Sequence, residues 1–143
     1  MNLLKVFVDS DVVISSLLSS KGAAYCFIHQ KPPQVKLFLS NFSIKEQEVV
    51  VRRLKLASRK LQRLIQKHFT VVELKSLVKI KREYQQYTLD PNDAHIVAGA
   101  HQVRAQFLIT YNRRHFKEDL IKKDLDIILL TPAQFLQYLR SKI

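Results

Sequence analysis

The chain has one cysteine, Cys26, two glycines, no tryptophan, and half as many acidic as basic residues, 12 against 24 in 143. A lone cysteine excludes an internal disulfide and a cysteine-based zinc centre, and it fits a reducing compartment. No run approaches the ~18 consecutive apolar residues of a membrane span. The opening MNLLKVFVDSD carries only a short apolar run before its first carboxylate. A soluble cytoplasmic protein with no membrane contact is therefore expected. Linkers, low-complexity tracts and internal repeats are also missing. Residues 1–143 are expected to form one domain, and at 47% hydrophobic they can bury a core without staples.

The shortage of acids leaves a net charge of +12 and a pI near 10.0, which draws polyanions, nucleic acid first among them. Charge alone does not separate an enzyme from an RNA binder. That separation rests on where the few acids lie.

Taken in order, Leu3 to Val8 reads as a strand stopping at Asp9-Ser10-Asp11, and Val12, Val13, Ile14, Leu17 and Leu18 resume at helical spacing until Gly22. Residues 23–30 form a further turn or two, closed by Lys31-Pro32-Pro33. Val35 to Leu39 is a second apolar segment, ending at Ser40. Ser43 with Glu46 three residues on has the capping-box spacing, which predicts a helix from Ser43. Val50, Leu54, Ala57, Leu61, Leu64 and Ile65 then fall on one face, opposite Arg52, Lys55, Arg59, Arg63 and Lys67. A third amphipathic piece is expected from Thr70, and residues 79–88 stay open between helix and strand.

Asp90 and Pro91 read as a helix start, with Asp93 three residues after the cap and Ala94, Val97, Ala98 and Ala100 as a small apolar surface. Phe107-Leu108-Ile109-Thr110 is a buried strand that releases the polar turn Tyr111-Asn112-Arg113-Arg114-His115. Asp126-Ile127-Ile128-Leu129-Leu130 is another strand. Thr131-Pro132-Ala133-Gln134 starts a last helix packed by Phe135, Leu136 and Leu139. Strands alternating with helices predict a three-layer α/β fold around a mainly parallel sheet.

In such sheets the functional crevice lies beyond the carboxyl ends of the strands. Here those ends carry Asp9, Asp11, Ser40, Thr110 and Asn112, and helix starts add Glu46, Asp90 and Asp93. Crowded carboxylates repel one another and take up protons unless a cation neutralises them. An all-oxygen cluster without cysteine suits Mg²⁺ or Mn²⁺, which can activate a water and stabilise charge on a phosphate under attack. Arg113 and Arg114 stand beside the crevice as RNA-backbone clamps. Arg52, Arg59 and Arg63 belong to residues 51–82, where eleven Lys and Arg oppose the single acid Glu73. Taken singly, Glu46 and Asp93 read rather as ordinary caps, Ser40, Asp11 and Thr110 as turn or cap residues, and His29, His68, His95 and His101 as scattered surface or partly packed histidines.

Together, Val8-Asp9-Ser10-Asp11-Val12, Ser40 with Glu46 six residues later, the run from Asp90 and Asp93 to Ala100, Leu108-Ile109-Thr110-Tyr111-Asn112 with His115-Phe116, and Thr131-Pro132 with Phe135-Leu136 resemble PIN-domain proteins. The resemblance covers nearly the whole chain and is nearest to the toxin-like PIN ribonucleases of bacterial and archaeal toxin–antitoxin systems. It implies a metal-dependent endoribonuclease, commonly a homodimer and often held inactive by a small antitoxin. It also implies that Asp9, Glu46 and Asp93 are metal-binding acids and that Ser40 and Thr110 are hydroxyls beside the site. Family members usually carry an Asp at the place of Asn112 or of His115, and this chain has an acid at neither. Asp11 stands where an Asn is common and returns some negative charge. Two rival readings accompany this one: a PIN-like module that binds RNA or an antitoxin without catalysis, and a receiver-like domain phosphorylated on Asp9.

Overall fold

Val6 and Val8 alternate with Phe7, and that alternation decides which helices each face of the first strand meets. A computed structural model describes residues 2–142. In it β1 (Leu4–Val8) lies between β2 (Val35–Ser40) and β4 (Phe107–Ile109). β3 (Phe69–Val72) extends the sheet beyond β2, and β5 (Ile128–Leu130) beyond β4. The order is β3-β2-β1-β4-β5, and every pairing is parallel. On one face Val6, Val8, Leu37, Leu39, Phe107 and Ile109 pack with residues of α1 (Ser10–Leu18), α2 (Ala23–His29), α4 (Ser58–His68) and α8 (Pro132–Arg140). On the other, Phe7, Phe38, Leu108 and Leu129 meet α6 (Ala94–Gln102) and α7 (Glu118–Leu125). This is the expected three-layer α/β fold. Its strand order differs from the 2-1-3-4-5 order of receiver-type sheets, which sets the phosphorylated-receiver reading aside. Among the described residues no single helix is long and apolar enough to cross a membrane.

Gly99 is what lets α6 approach the sheet. A Cβ built there would lie 2.5 Å from Phe7 Cζ, and Phe7 is fully buried, so its ring has little room to retreat. Gly99→Ala should therefore destabilise the protein by about 1–2 kcal/mol in a denaturant titration, overpacking outweighing the gain in helix propensity. Unchanged or increased stability would mean that the Phe7 ring yields.

Several local expectations are corrected. α1 ends at Leu18, and Gly22 instead caps the start of α2. Ser40 rather than Ser43 caps α3 (Asn41–Arg53), accepting the Ser43 N–H at 3.1 Å, so Glu46 lies beyond the first turn. The apolar face does not run on into α4. The chain turns at Lys55, φ 59°, which exposes Leu54 and Ala57 while Leu56 packs in their place. From Phe69 to Val72 the chain is an edge strand, as its β-branched Thr70, Val71 and Val72 favour. Residues 79–88, left open, complete α5 (Leu77–Tyr84) and a single 3₁₀ turn. α7 had no counterpart in the sequence reading. Asp126 closes it at φ 57°, which delays β5 to Ile128. Thr131 and Gln134 do form the reciprocal capping box expected of them.

Candidate active site at the carboxyl edge of the sheet

β1 is followed in sequence by β2 on one side and has β4 on the other, so the crevice opens at this switch point. Asp9 follows β1 directly and Thr110 follows β4. The Asp9 N–H donates to the Ile109 carbonyl at 2.9 Å, which locks the two strand ends together. Thr110, itself fully buried, donates through Oγ1 to Asp9 Oδ2 at 2.9 Å, and the Ser10 N–H donates to Asp9 Oδ1 at 2.7 Å. Asp9, Asp11, Glu46, Asp93, Asn112 and His115 all line one cleft of ≈ 550 Å³.

The carboxyls of this cleft are electrostatically strained. Burial, then the charge of Asp11, pushes Asp9 up to about 8, against the opposing hydrogen bonds from Thr110 and Ser10. Burial also raises Asp11, although the Tyr111 N–H donates to its Oδ2 at 3.1 Å and the Asn112 Nδ2 at 3.0 Å. Its other oxygen, Oδ1, is buried without a partner. Burial and the charge of Asp90 raise Asp93, opposed by His115.

Neither Glu46 nor Asp93 caps a helix through its side chain. Asp93 stands at the N-cap position of α6 but makes no capping hydrogen bond, while Asp90 caps the 3₁₀ turn Pro91–Asp93 that leads into α6, accepting the Asn92 N–H at 2.9 Å. Glu46 accepts from Ser10 Oγ at 3.2 Å and pairs with His95 Nε2 at 3.0 Å. The cap reading of both acids is thereby removed.

Other expected residues fall elsewhere. Ser40 is buried and spent on capping α3, and it does not line the cleft. Arg113 donates from Nε and Nη2 to Glu118 Oε1 and from Nη1 to Gln134 Oε1, so it braces the turn against α7 and α8. Arg114 is exposed beside it. Arg52, Arg59 and Arg63 are exposed on α3 and α4 and do not line the cleft, and Arg52 reaches back to the Glu48 carbonyl. The sequence reading missed His95, which is 5% exposed. The available signal was its place as the one ionisable residue in 94–100, a stretch apolar enough to be buried all round, where a polar side chain needs a partner.

The carboxyl donors of the cleft are oxygens, one of them orphaned, and burial raises the proton affinity of Asp9, Asp11 and Asp93. That set fits a hard divalent cation. Among the described residues no three His, Cys, Asp or Glu side chains form a ready-made metal cage. Mg²⁺ tolerates this, since it keeps several waters and uses one or two carboxylates, whereas a structural zinc does not.

Several solved structures share the fold. A toxin–antitoxin complex from Klebsiella pneumoniae is 22% identical, with TM-score 0.60 over 89% of this chain and 97% of that one. VapBC2 from Rickettsia felis, bound to a DNA fragment from their promoter, is 14% identical, with TM-score 0.63 over 90% and 98%. PAE2754 from Pyrobaculum aerophilum is 19% identical, with TM-score 0.60 over 97% and 98%. No curated protein matches significantly by sequence. The PIN domain family matches residues 5–114, which span β1 to the turn after β4 and include Asp9, Glu46 and Asp93; the chain belongs to the PIN domain family.

Proposed function

We propose that the protein is a metal-dependent endoribonuclease and the toxin member of a toxin–antitoxin pair. The observation that carries this reading is the gathering of Asp9, Asp11, Glu46 and Asp93 in one cleft of an otherwise basic PIN domain. PIN domains are generally nucleases and typically use divalent metal ions. The structural likeness to a structure described as a toxin–antitoxin complex supports the toxin assignment and, with it, a small antitoxin as partner.

Asp9, Glu46 and Asp93, with Asp11 behind them, would hold Mg²⁺ or Mn²⁺, which when bound supplies counter-charge, Lewis acidity and an activated water for attack on a phosphodiester. The chain's own residues prepare that site. Thr110 fixes the Asp9 carboxyl, and His95 fixes Glu46. Asn112, tethered to Asp11, positions a water or the scissile phosphate as a neutral donor and acceptor. His115 places a basic group among the acids, and exposed Arg114 takes the RNA backbone while Arg113 holds the turn rigid.

Cleavage of single-stranded RNA with added Mn²⁺ tests this against Asp93→Asn. The wild type should cleave, and the variant should lose about 10²-fold or more. Equal rates, or none in either protein with metal shown bound, would remove the mechanism. One observation favours a second reading, an RNA-binding or antitoxin-binding module without catalysis: neither Asn112 nor His115 supplies the acid usual in the family.

A further inference from the structure

α1 has two sides. Ile14, Ser15 and Leu18 line the acidic cleft, while Ser16 and Leu17 line a separate pocket of ≈ 400 Å³ shared with α2 and α4. α4 contains no acid, and Lys60, Arg63 and Lys67 repeat on it at i, i+3 and i+7, which places them on one face. None of the three forms a salt bridge among the described residues. Beside them Tyr25 stacks on His29 with ring centroids 3.9 Å apart, and His29 meets His68 edge-on at 4.6 Å. His68 Nε2 is buried without a partner. Burial, then Lys67, holds His29 low, and burial, then His29, Lys31 and Lys67, pushes His68 down to about 4.

No acid lines the pocket, and two histidines are too few for zinc, so its positive field is not that of a metal site. Aromatic faces beside uncompensated Lys and Arg are what single-stranded nucleic acid uses, the base stacking and the phosphate meeting the cations. The two cavities lie on either side of one helix, a width of about 10–12 Å.

We propose that this pocket is a second RNA subsite, stacking one base on an outer face of the Tyr25–His29 pair and holding its phosphate on Lys60, Arg63 and Lys67, while the strand crosses α1 to the acidic cleft. The proposal rests on RNA being the substrate, and it is tested without cleavage. A fluorescent single-stranded octaribonucleotide is bound to the full chain in EDTA across a salt series. Lys60→Gln/Arg63→Gln/Lys67→Gln should weaken binding about tenfold or more and flatten the log–log salt slope by about 2, from ~0.7 per lost contact. Tyr25→Leu should weaken it about tenfold with the slope unchanged. A charge-matched control on other surfaces, Lys36→Gln/Arg82→Gln/Lys123→Gln, should leave the slope as it is. In the wild type, saturating oligonucleotide should raise the His68 pKa from about 4 toward the ordinary histidine value.

Equal losses in both triples would reassign the effect to overall charge and overturn the subsite. Histidine resonances unmoved in the wild type would overturn it even if a variant misfolds. Binding of a polyglutamate peptide that depends on the triple, with oligonucleotide binding insensitive to it, would make the pocket a protein-docking site instead. Because EDTA removes cleavage from the readout, loss of the subsite leaves the Asp93→Asn test standing, and failure of that test leaves this one standing.

Discussion

Asp9→Asn is expected to lower RNA cleavage by about 10²–10³-fold while making the metal-free protein more stable at pH 8, by about 2–4 kcal/mol. Both effects have one origin. Asp9 is buried at the end of a strand with Asp11 and Asp93 near it, so its carboxyl keeps a proton up to about pH 8 in the folded chain and only to the ordinary value of 3.8 when exposed. Below pH 4 both states hold the proton and nothing is lost. As pH rises from 4 toward 8 the unfolded chain ionises and the folded one does not, so stability falls, and it levels off above 8. Asn accepts the Ser10 N–H on its single amide oxygen and turns its Nδ2 donor to the Thr110 hydroxyl, with no charge to desolvate. His68, held at about 4, acts with the opposite sign between pH 4 and 6.5, so the difference between variant and wild type isolates Asp9. Urea titrations from pH 5 to pH 8.5 measure it. A difference independent of pH would show that Asp9 carries no such strain.

Asn112→Asp should bind Mn²⁺ about tenfold more tightly than the wild type and be less stable than it without metal at neutral pH. The Asn112 Nδ2 now donates to Asp11 Oδ2, so a carboxylate in its place turns an attraction into a repulsion, and only a cation relieves it. Cleavage should rise with occupancy at low metal. Unchanged affinity would place the cation away from Asn112.

The fold was legible where periodicity and punctuation agreed. Val6-Phe7-Val8, Phe107-Leu108-Ile109 and the Thr131–Gln134 box all did what their patterns require. Capping was less legible, because two hydroxyls or two acids within three residues compete for one role that only the backbone turn assigns. Ser40 took the cap given to Ser43, and Asp90 kept the cap that Asp93 resembled, which freed Glu46 and Asp93 to face the cleft. Partners distant in sequence were invisible for the same reason. Nothing local ties His95 to Glu46, Arg113 to Gln134, or Tyr25 and His29 to His68 and Lys67. The second pocket exists only because α2 and α4, remote in sequence, both pack beside α1.

Calorimetric titration of the wild type with Mn²⁺ at pH 7, in two buffers of different ionisation enthalpy, tests the acidic cleft most directly. A saturable site that releases about one proton per ion is expected, since Asp9, with its pKa at about 8, must deprotonate as the metal binds. No saturable heat at millimolar Mn²⁺, with salt-sensitive RNA binding intact, would contradict the nuclease reading and leave a PIN domain that binds RNA without cutting it.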